Sequence, residues 1–153
     1  MAREDLDLAG REFAWAADRV FDGRHVLISH AVVVRGRTIV AVLPTEAVPA
    51  GVPIRYEPGT TLLPGLIDMH THLMRWEAPL FVAYGVTTIR DVGNEMGWIL
   101  AQRDEAHDYG IPRILCVGPL LDGPRPNHPL VARACVSLED AVAAVGETAR
   151  AGA

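Results

Sequence analysis

The sequence has few cysteines and no excess of positive charge, and both shortages limit what the protein can do. Only Cys116 and Cys135 are cysteines among 153 residues, and no Cys-x-x-Cys pair occurs. We therefore expect a reducing compartment, with both thiols as small buried side chains. The 14 Lys plus Arg against 19 Asp plus Glu give a formal net charge of −5. This balance argues against nucleic acid and anionic membranes as partners.

The chain also lacks a long apolar run. Its most apolar stretches, around 26–34 and 39–43, are interrupted by His30, Arg35 and Arg37, and they are far shorter than the ~20 residues that span a bilayer. The N-terminus carries acidic residues where a secretory signal needs a basic flank before an apolar run. We therefore expect a cytoplasmic location and no membrane partner. Because 50% of the residues are hydrophobic, the chain is expected to bury a core.

The pattern of apolar residues changes near Pro64. From about 13 to 63, short apolar runs alternate with turn residues, which predicts strands. Between His30 and Leu43 two β-branched runs flank Gly36, as in a hairpin. Beyond Pro64, β-rich and helix-like segments alternate, which is typical of βα units around a parallel sheet. The predicted fold class is therefore α/β, with a mainly β segment over 1–63 and three βα units over 64–153.

The second part is expected to have exposed strand edges. Strands are predicted near 66–72, 86–92 and 113–117, and helices over 78–84, 95–109 and 137–152. Ser137 is expected to cap the last helix, Gly152 to end it, and one face to be buried through Leu138, Val142, Val145 and Ala149. A closed barrel needs ~250 residues. We therefore expect a fragment or a shortened reading frame, whose exposed edges pair with another polypeptide or a second copy.

A short His-x-His segment is the sharpest chemical signal. It lies in the stretch from Leu63 to Leu73, where Asp68, His70 and His72 are each two residues apart. Side chains two apart on a strand share a face, so the two imidazoles are expected to converge. Imidazole is a common ligand of zinc and suits other transition metals. The segment predicts half of a metal site, with two ordinary surface histidines as the alternative.

Longer motifs in the same order resemble a known family. The segment 61–73 is followed by Gly85-Val-Thr-Thr-Ile-Arg-Asp-Val-Gly93, and two β-rich motifs precede it at 20–23 and 33–42. Together they resemble the opening of the metal-dependent amidohydrolase superfamily, in the branch that contains imidazolonepropionase and the prolidase-like dipeptidases. The resemblance covers about residues 12–153 and therefore only the N-terminal part of that family.

The resemblance implies both a fold and a function. It implies a β-sandwich-like segment over 1–63 and the first three βα units of an incomplete TIM-type barrel over 64–153. It implies that His70 and His72 bind a divalent metal, with zinc expected, and that Asp68 lies beside them. The family hydrolyses C–N bonds of amides, dipeptides or cyclic amides. Since the family's other ligands lie on later strands, this chain alone is expected to be inactive. The rival hypothesis is a non-catalytic remnant or interaction module completed by another polypeptide.

Other polar and aromatic residues receive structural interpretations. Arg90 and Asp91 are expected to hold one another or a loop, with an ion pair favoured over a substrate contact. His128 is expected to be an exposed loop residue, with a substrate contact as the alternative. The remaining expectations are surface exposure for His107, packing roles for Trp76 and Trp98, and no function for His25 and His30.

Overall fold

The chain folds into two compact units that meet in sequence between Pro64 and Gly65. A computed structural model describes residues 11–106 and 110–153. The described residues have mixed α/β structure, as predicted. The expected end of the second helix and the surface prediction for His107 fall in 107–109, outside the described residues.

The first unit is a four-stranded sheet. Its strands lie in the order β3-β2-β1-β4, with β1 antiparallel to β2, β2 antiparallel to β3, and β1 parallel to β4. The predicted hairpin around Gly36 is confirmed, and the positive φ of 58° at this residue explains why glycine suits the turn. A short 3-10 helix, Thr45–Ala47, follows β3. The strand bounds are β1 Glu12–Phe21, β2 Val26–Arg35, β3 Thr38–Pro44 and β4 Ile54–Leu62.

Small side chains form the core of this sheet. Ala14, Ala16, Ala31 and Val33 are buried against partly buried apolar neighbours. Within residues 11–64 there is one sheet, whereas a sandwich requires two packed layers. The described residues therefore form a single sheet and do not show the expected β-sandwich. Several large apolar side chains of these strands are exposed, including Val26, Ile28, Ile39, Val40, Ile54 and Tyr56.

The second unit contains a three-stranded parallel sheet in the order β5-β6-β7. All three predicted strands are confirmed, with ends that differ from the prediction by one residue. Leu73, Ala78, Ile89, Ile99 and Ile114 form the buried cluster of this unit. In the described part of the chain β5 and β7 each pair on one side only. The element bounds are β5 Leu66–Thr71, α1 Ala78–Ala83, β6 Val86–Asp91, α2 Met96–Glu105 and β7 Arg113–Cys116.

The segment after β7 is more regular than the predicted loop. It contains a parallel pair of short strands, β8 (Leu120–Asp122) and β9 (Ala132–Ala134), which precede α3 (Leu138–Ala151). Both predicted ends of α3 are confirmed. The Ser137 side chain accepts a 3.2 Å hydrogen bond from the Asp140 N–H, and Gly152 has φ 86° at the C-terminal end.

The predicted buried face of α3 is wrong. Leu138, Val142 and Val145 are 75%, 65% and 57% exposed, and Ala149 is exposed as well. The face turned toward the rest of the unit instead carries Ala144, which is fully buried, flanked by Asp140 and Glu147, both bonded to Arg133. The 3.6-residue period locates an apolar stripe on a helix but does not reveal whether another element covers it.

Two other packing expectations need correction. Trp98 packs against the core cluster as predicted, but Trp76 is 68% exposed and packs on no core. Cys116 and Cys135 are free thiols, as expected, but both are only half-buried. Partial burial raises the pKa of the Cys116 thiol. In the described part of the chain, no helix combines the length and the apolar character needed to cross a membrane.

We predict that Gly65→Ala destabilises the second unit by about 1–3 kcal/mol, the usual cost of overpacking. A Cβ atom at Gly65 would lie 2.0 Å from Thr87 Oγ1 and 2.8 Å from Thr87 Cβ, so a change of Thr87 rotamer cannot relieve the overlap. Urea unfolding followed by circular dichroism measures the change. Gly123→Ala is the matched control because nothing lies within 4 Å of its added Cβ. Equal midpoints for the two variants would contradict this description of the β5 entry.

Candidate metal centre

Two histidines lie together at the carboxyl end of β5. His70 is on the strand and His72 follows its last residue. The ring centroids are 5.8 Å apart, the ring planes meet at 80°, and both residues are exposed. The structure therefore brings the two predicted ligands side by side at the exposed carboxyl end of β5.

The spacing of the pair is compatible with one shared cation. Zinc lies ~2.0–2.1 Å from an imidazole nitrogen, so two rings that share an ion have centroids within roughly 6.5 Å. The pair is nevertheless an incomplete set, since structural and catalytic zinc sites use at least three protein ligands. Across 11–106 and 110–153, no group of three or more His, Cys, Asp or Glu side chains could hold a metal ion.

The backbone of the loop after β6 orients the His72 ring. His72 Nδ1 lies 3.0 Å from the Gly93 carbonyl oxygen, an acceptor, so Nδ1 carries the proton in this contact. The neutral ring then keeps its lone pair on Nε2. The ring also packs directly on Gly93, where an added Cβ would lie 2.9 Å from His72 Cε1 and 3.0 Å from Nδ1. Gly93 is therefore required for close approach.

Asp68 does not join the histidine pair, which corrects the prediction of one shared face. Its Oδ1 accepts a 3.0 Å hydrogen bond from the backbone N–H of His70. Asp68 pairs with Ile89 while Thr71 pairs with Asp91, so β5 advances three residues where β6 advances two. This extra residue interrupts the strict alternation on which the prediction depended.

A buried carboxylate holds the loops around the histidines, which was one of the two roles predicted for it, and does not form the ion pair that was favoured. Asp91 is fully buried, and no ion pair with Arg90 occurs in the described structure, because adjacent residues on a strand point to opposite faces and Arg90 is exposed. Asp91 accepts hydrogen bonds from Leu73 N–H (2.7 Å), Gly93 N–H (3.1 Å) and Asn94 Nδ2 (2.7 Å). Of these bonds, the one from the Gly93 N–H has a signal in the sequence, because an Asp two residues before a Gly is typical of an Asx turn.

His72 also lines a cleft with the loop that follows β8. This cleft has a volume of ≈ 410 Å³. His128 is exposed, as predicted, and lies on the cleft wall together with His72. Asp122 anchors the loop by accepting from the N–H groups of Asn127 and Gly123, and these bonds lower the pKa of its carboxyl group. The lining residues are His72, Asn127, His128, Pro129, Leu130 and Val131.

Known proteins match both units. The family described as the NagA composite domain matches residues 13–59. A candidate prolidase from Bifidobacterium longum is 30% identical, with 94% of this chain and 39% of that chain covered and a TM-score of 0.79. The chain is similar to the N-terminal part of the amidohydrolase superfamily. The resemblance inferred from the sequence motifs is therefore confirmed.

More distant solved structures share the fold. Ochratoxinase from A. niger is 16% identical, with 95% of this chain and 46% of that chain covered and a TM-score of 0.72. A Xaa-Pro dipeptidase solved with methionine in its active site is 20% identical, with 93% and 45% covered and a TM-score of 0.66. The chain thus spans less than half the length of these amidohydrolase relatives. A comparison with curated proteins found no match.

We predict that Gly93→Ala displaces the His72 ring and breaks its bond to the Gly93 carbonyl, because the added Cβ would lie 2.9 Å from His72 Cε1 as well as 2.8 Å from Leu120 Cγ. Nitrogen-15 NMR of the imidazoles at pH 8 should show His72 changing from the Nδ1–H tautomer to a mixture of both tautomers. Gly97→Ala is the control, since its nearest contact would be an ordinary 3.5 Å. An unchanged His72 tautomer in Gly93→Ala would contradict the assigned contact.

Proposed function

We propose that this chain is part of a metal-dependent amidohydrolase and supplies His70 and His72 as two ligands of a divalent ion, with zinc the expected metal. The observation that carries the proposal is the exposed pair of rings 5.8 Å apart, with Nδ1 of His72 engaged by the backbone. This arrangement leaves Nε2 of His72 available to a cation. The similarity to amidohydrolases supports the same conclusion.

The proposed reaction is hydrolysis of a C–N bond in an amide, a dipeptide or a cyclic amide. A divalent ion bound at such a site lowers the pKa of a water molecule and polarises a carbonyl group. His70 and His72 would hold the ion at the open end of β5. His128 and Asn127 would contact the substrate, since they line the cleft that contains His72. The similarity to prolidase and dipeptidase structures favours a dipeptide or an N-acyl amino acid as substrate.

The proposal also assigns a place in the family's fold to each of the two segments. We interpret residues 64–153 as three βα units of a TIM-type barrel and 1–63 as the β-rich domain that precedes it. The order β5-β6-β7, with a helix after each of the first two strands, supports this interpretation. The cytoplasmic location stays a prediction of the sequence.

A second candidate function is an interaction module completed by another polypeptide. Two apolar stripes favour it. On α3, Leu138, Val142 and Val145 are exposed, and around α1 the side chains of Trp76 and Tyr84 are 68% and 82% exposed. Isolated exposed apolar residues are common, but these two groups, together with the edges of β5 and β7 that are unpaired in the described residues, are typical of an interface. The occupant we propose is a further βα segment of the amidohydrolase type, because the similar prolidase chain extends well beyond the matched part.

We predict that the purified 153-residue chain binds zinc weakly through His70 and His72 and hydrolyses none of a panel of dipeptides and N-acyl amino acids. Binding should be weak because only two of the usual three or more ligands are present among the described residues. Calorimetric zinc titration of the wild type and of a His70→Ala, His72→Ala double variant measures the contribution of the pair. Sedimentation of the same samples tests whether the exposed stripes cause self-association.

A His25→Ala, His30→Ala double variant is the matched control, because it removes two histidines from the first unit. It should bind zinc as the wild type does, whereas the His70→Ala, His72→Ala variant should lose binding. Equal affinity in all three proteins would refute the metal proposal. Turnover abolished by the His70→Ala, His72→Ala variant would show that the chain assembles a complete site, and a monomer at all concentrations would contradict the interaction module.

A further inference from the structure

The buried carboxylate of Asp91 has no role in the proposed hydrolysis. Asp91 is the only charged side chain among the buried residues of the described structure, and it forms no ion pair there. An unpaired carboxylate is costly to bury unless hydrogen bonds replace its lost hydration. Asp91 therefore depends on its three donors, the N–H groups of Leu73 and Gly93 and the side chain of Asn94.

Two of these donors belong to residues next to His72, one in sequence and one in space. Oδ2 of Asp91 accepts from the N–H of Leu73, the residue directly after His72, at 2.7 Å. Oδ1 accepts from the N–H of Gly93 at 3.1 Å, and the carbonyl of this same Gly93 lies 3.0 Å from His72 Nδ1. The first bond fixes the backbone that carries the imidazole. The second holds the backbone N–H of Gly93, whose carbonyl, in the next peptide group, receives the imidazole proton.

A third contact supports the same geometry. Asn94 Nδ2 donates to Asp91 Oδ2 and also to the Leu73 carbonyl at 3.1 Å, and the second of these bonds joins the loop after β6 to the loop after β5. The His72 ring then rests on Gly93, which has no Cβ to displace it. The position of the ring is therefore set by groups that are themselves held by Asp91.

We propose that Asp91 is a positioning residue for His72. By holding Leu73 and Gly93 it fixes the ring in the Nδ1–H tautomer and presents the Nε2 lone pair to a cation. The inference about metal rests on the proposed function, but the inference about the tautomer does not. A hydrogen bond to the ring nitrogen that does not bind metal usually fixes the tautomer and orientation of a ligand histidine.

The first test uses the unmodified chain without metal. Long-range nitrogen-15 NMR at pH 8 should show His72 as a single Nδ1–H tautomer, and the amides of Leu73 and Gly93 should be protected from hydrogen exchange. A dominant Nε2–H tautomer, or rapid exchange of both amides, would overturn the proposal without any substitution. This test remains decisive even if a variant fails to fold.

The second test is Asp91→Asn. A carboxamide has one acceptor oxygen, and its NH₂ group would face an N–H donor in either orientation, so one of the two backbone bonds is lost. We expect a mixture of His72 tautomers and a zinc affinity ~10–100-fold weaker than in the wild type. Ile99→Ala, in the buried apolar cluster of the same unit, is the control for lost stability and should change neither readout.

A double-mutant cycle shows whether the effect passes through His72. In a His72→Ala background, Asp91→Asn should weaken zinc binding no further. An equal loss in both backgrounds, or the same tautomer change in Ile99→Ala, would assign Asp91 a purely structural role and refute the proposal. Absence of zinc binding by the wild type would refute the proposed function, while the metal-free tautomer measurement would still decide the role of Asp91.

Discussion

The hydrogen bonds of one buried carboxylate connect the strand ends on which the candidate site depends. Asp91 lies where water cannot solvate it, so the surrounding backbone must supply its donors. The side chain binds the segments after β5 and β6, and the Asp91 backbone carbonyl accepts from Val117 after β7 at 3.2 Å. The carboxyl ends of three parallel strands are thus held at one edge, and the position of His72 follows from this arrangement.

Features with a local physical cause could be predicted from the sequence. Gly36 occupies a turn that requires positive φ, and Ser137 places a hydroxyl where the first turn of α3 has free N–H groups. The alternation of short apolar segments with helix-like segments was sufficient to locate β5, β6 and β7. The proximity of His70 and His72 also follows from local spacing, although the irregular register of β5 shows that simple alternation was not the whole reason.

Features that depend on partners distant in sequence could not be predicted. The apolar stripe of α3 and the side chain of Trp76 have the composition of packing surfaces, yet the described chain provides nothing to cover them. Asp68 accepts from the backbone N–H of His70, and only the pairing of two strands reveals the register shift between Asp68 and Thr71. The role of Asp91 depends on a contact between the loops after β5 and β6. That contact could not be predicted from a single sequence.

We propose that the fold holds two imidazoles in position to bind one cation at the open end of β5. Crystals of the chain grown with zinc, with diffraction collected above and below the zinc absorption edge, test this proposal. We expect an anomalous peak ~2.0–2.1 Å from a nitrogen of both His70 and His72, with Nδ1 of His72 still bonded to Gly93. A zinc ion bound elsewhere, or a His72 ring that binds through Nδ1, would contradict it.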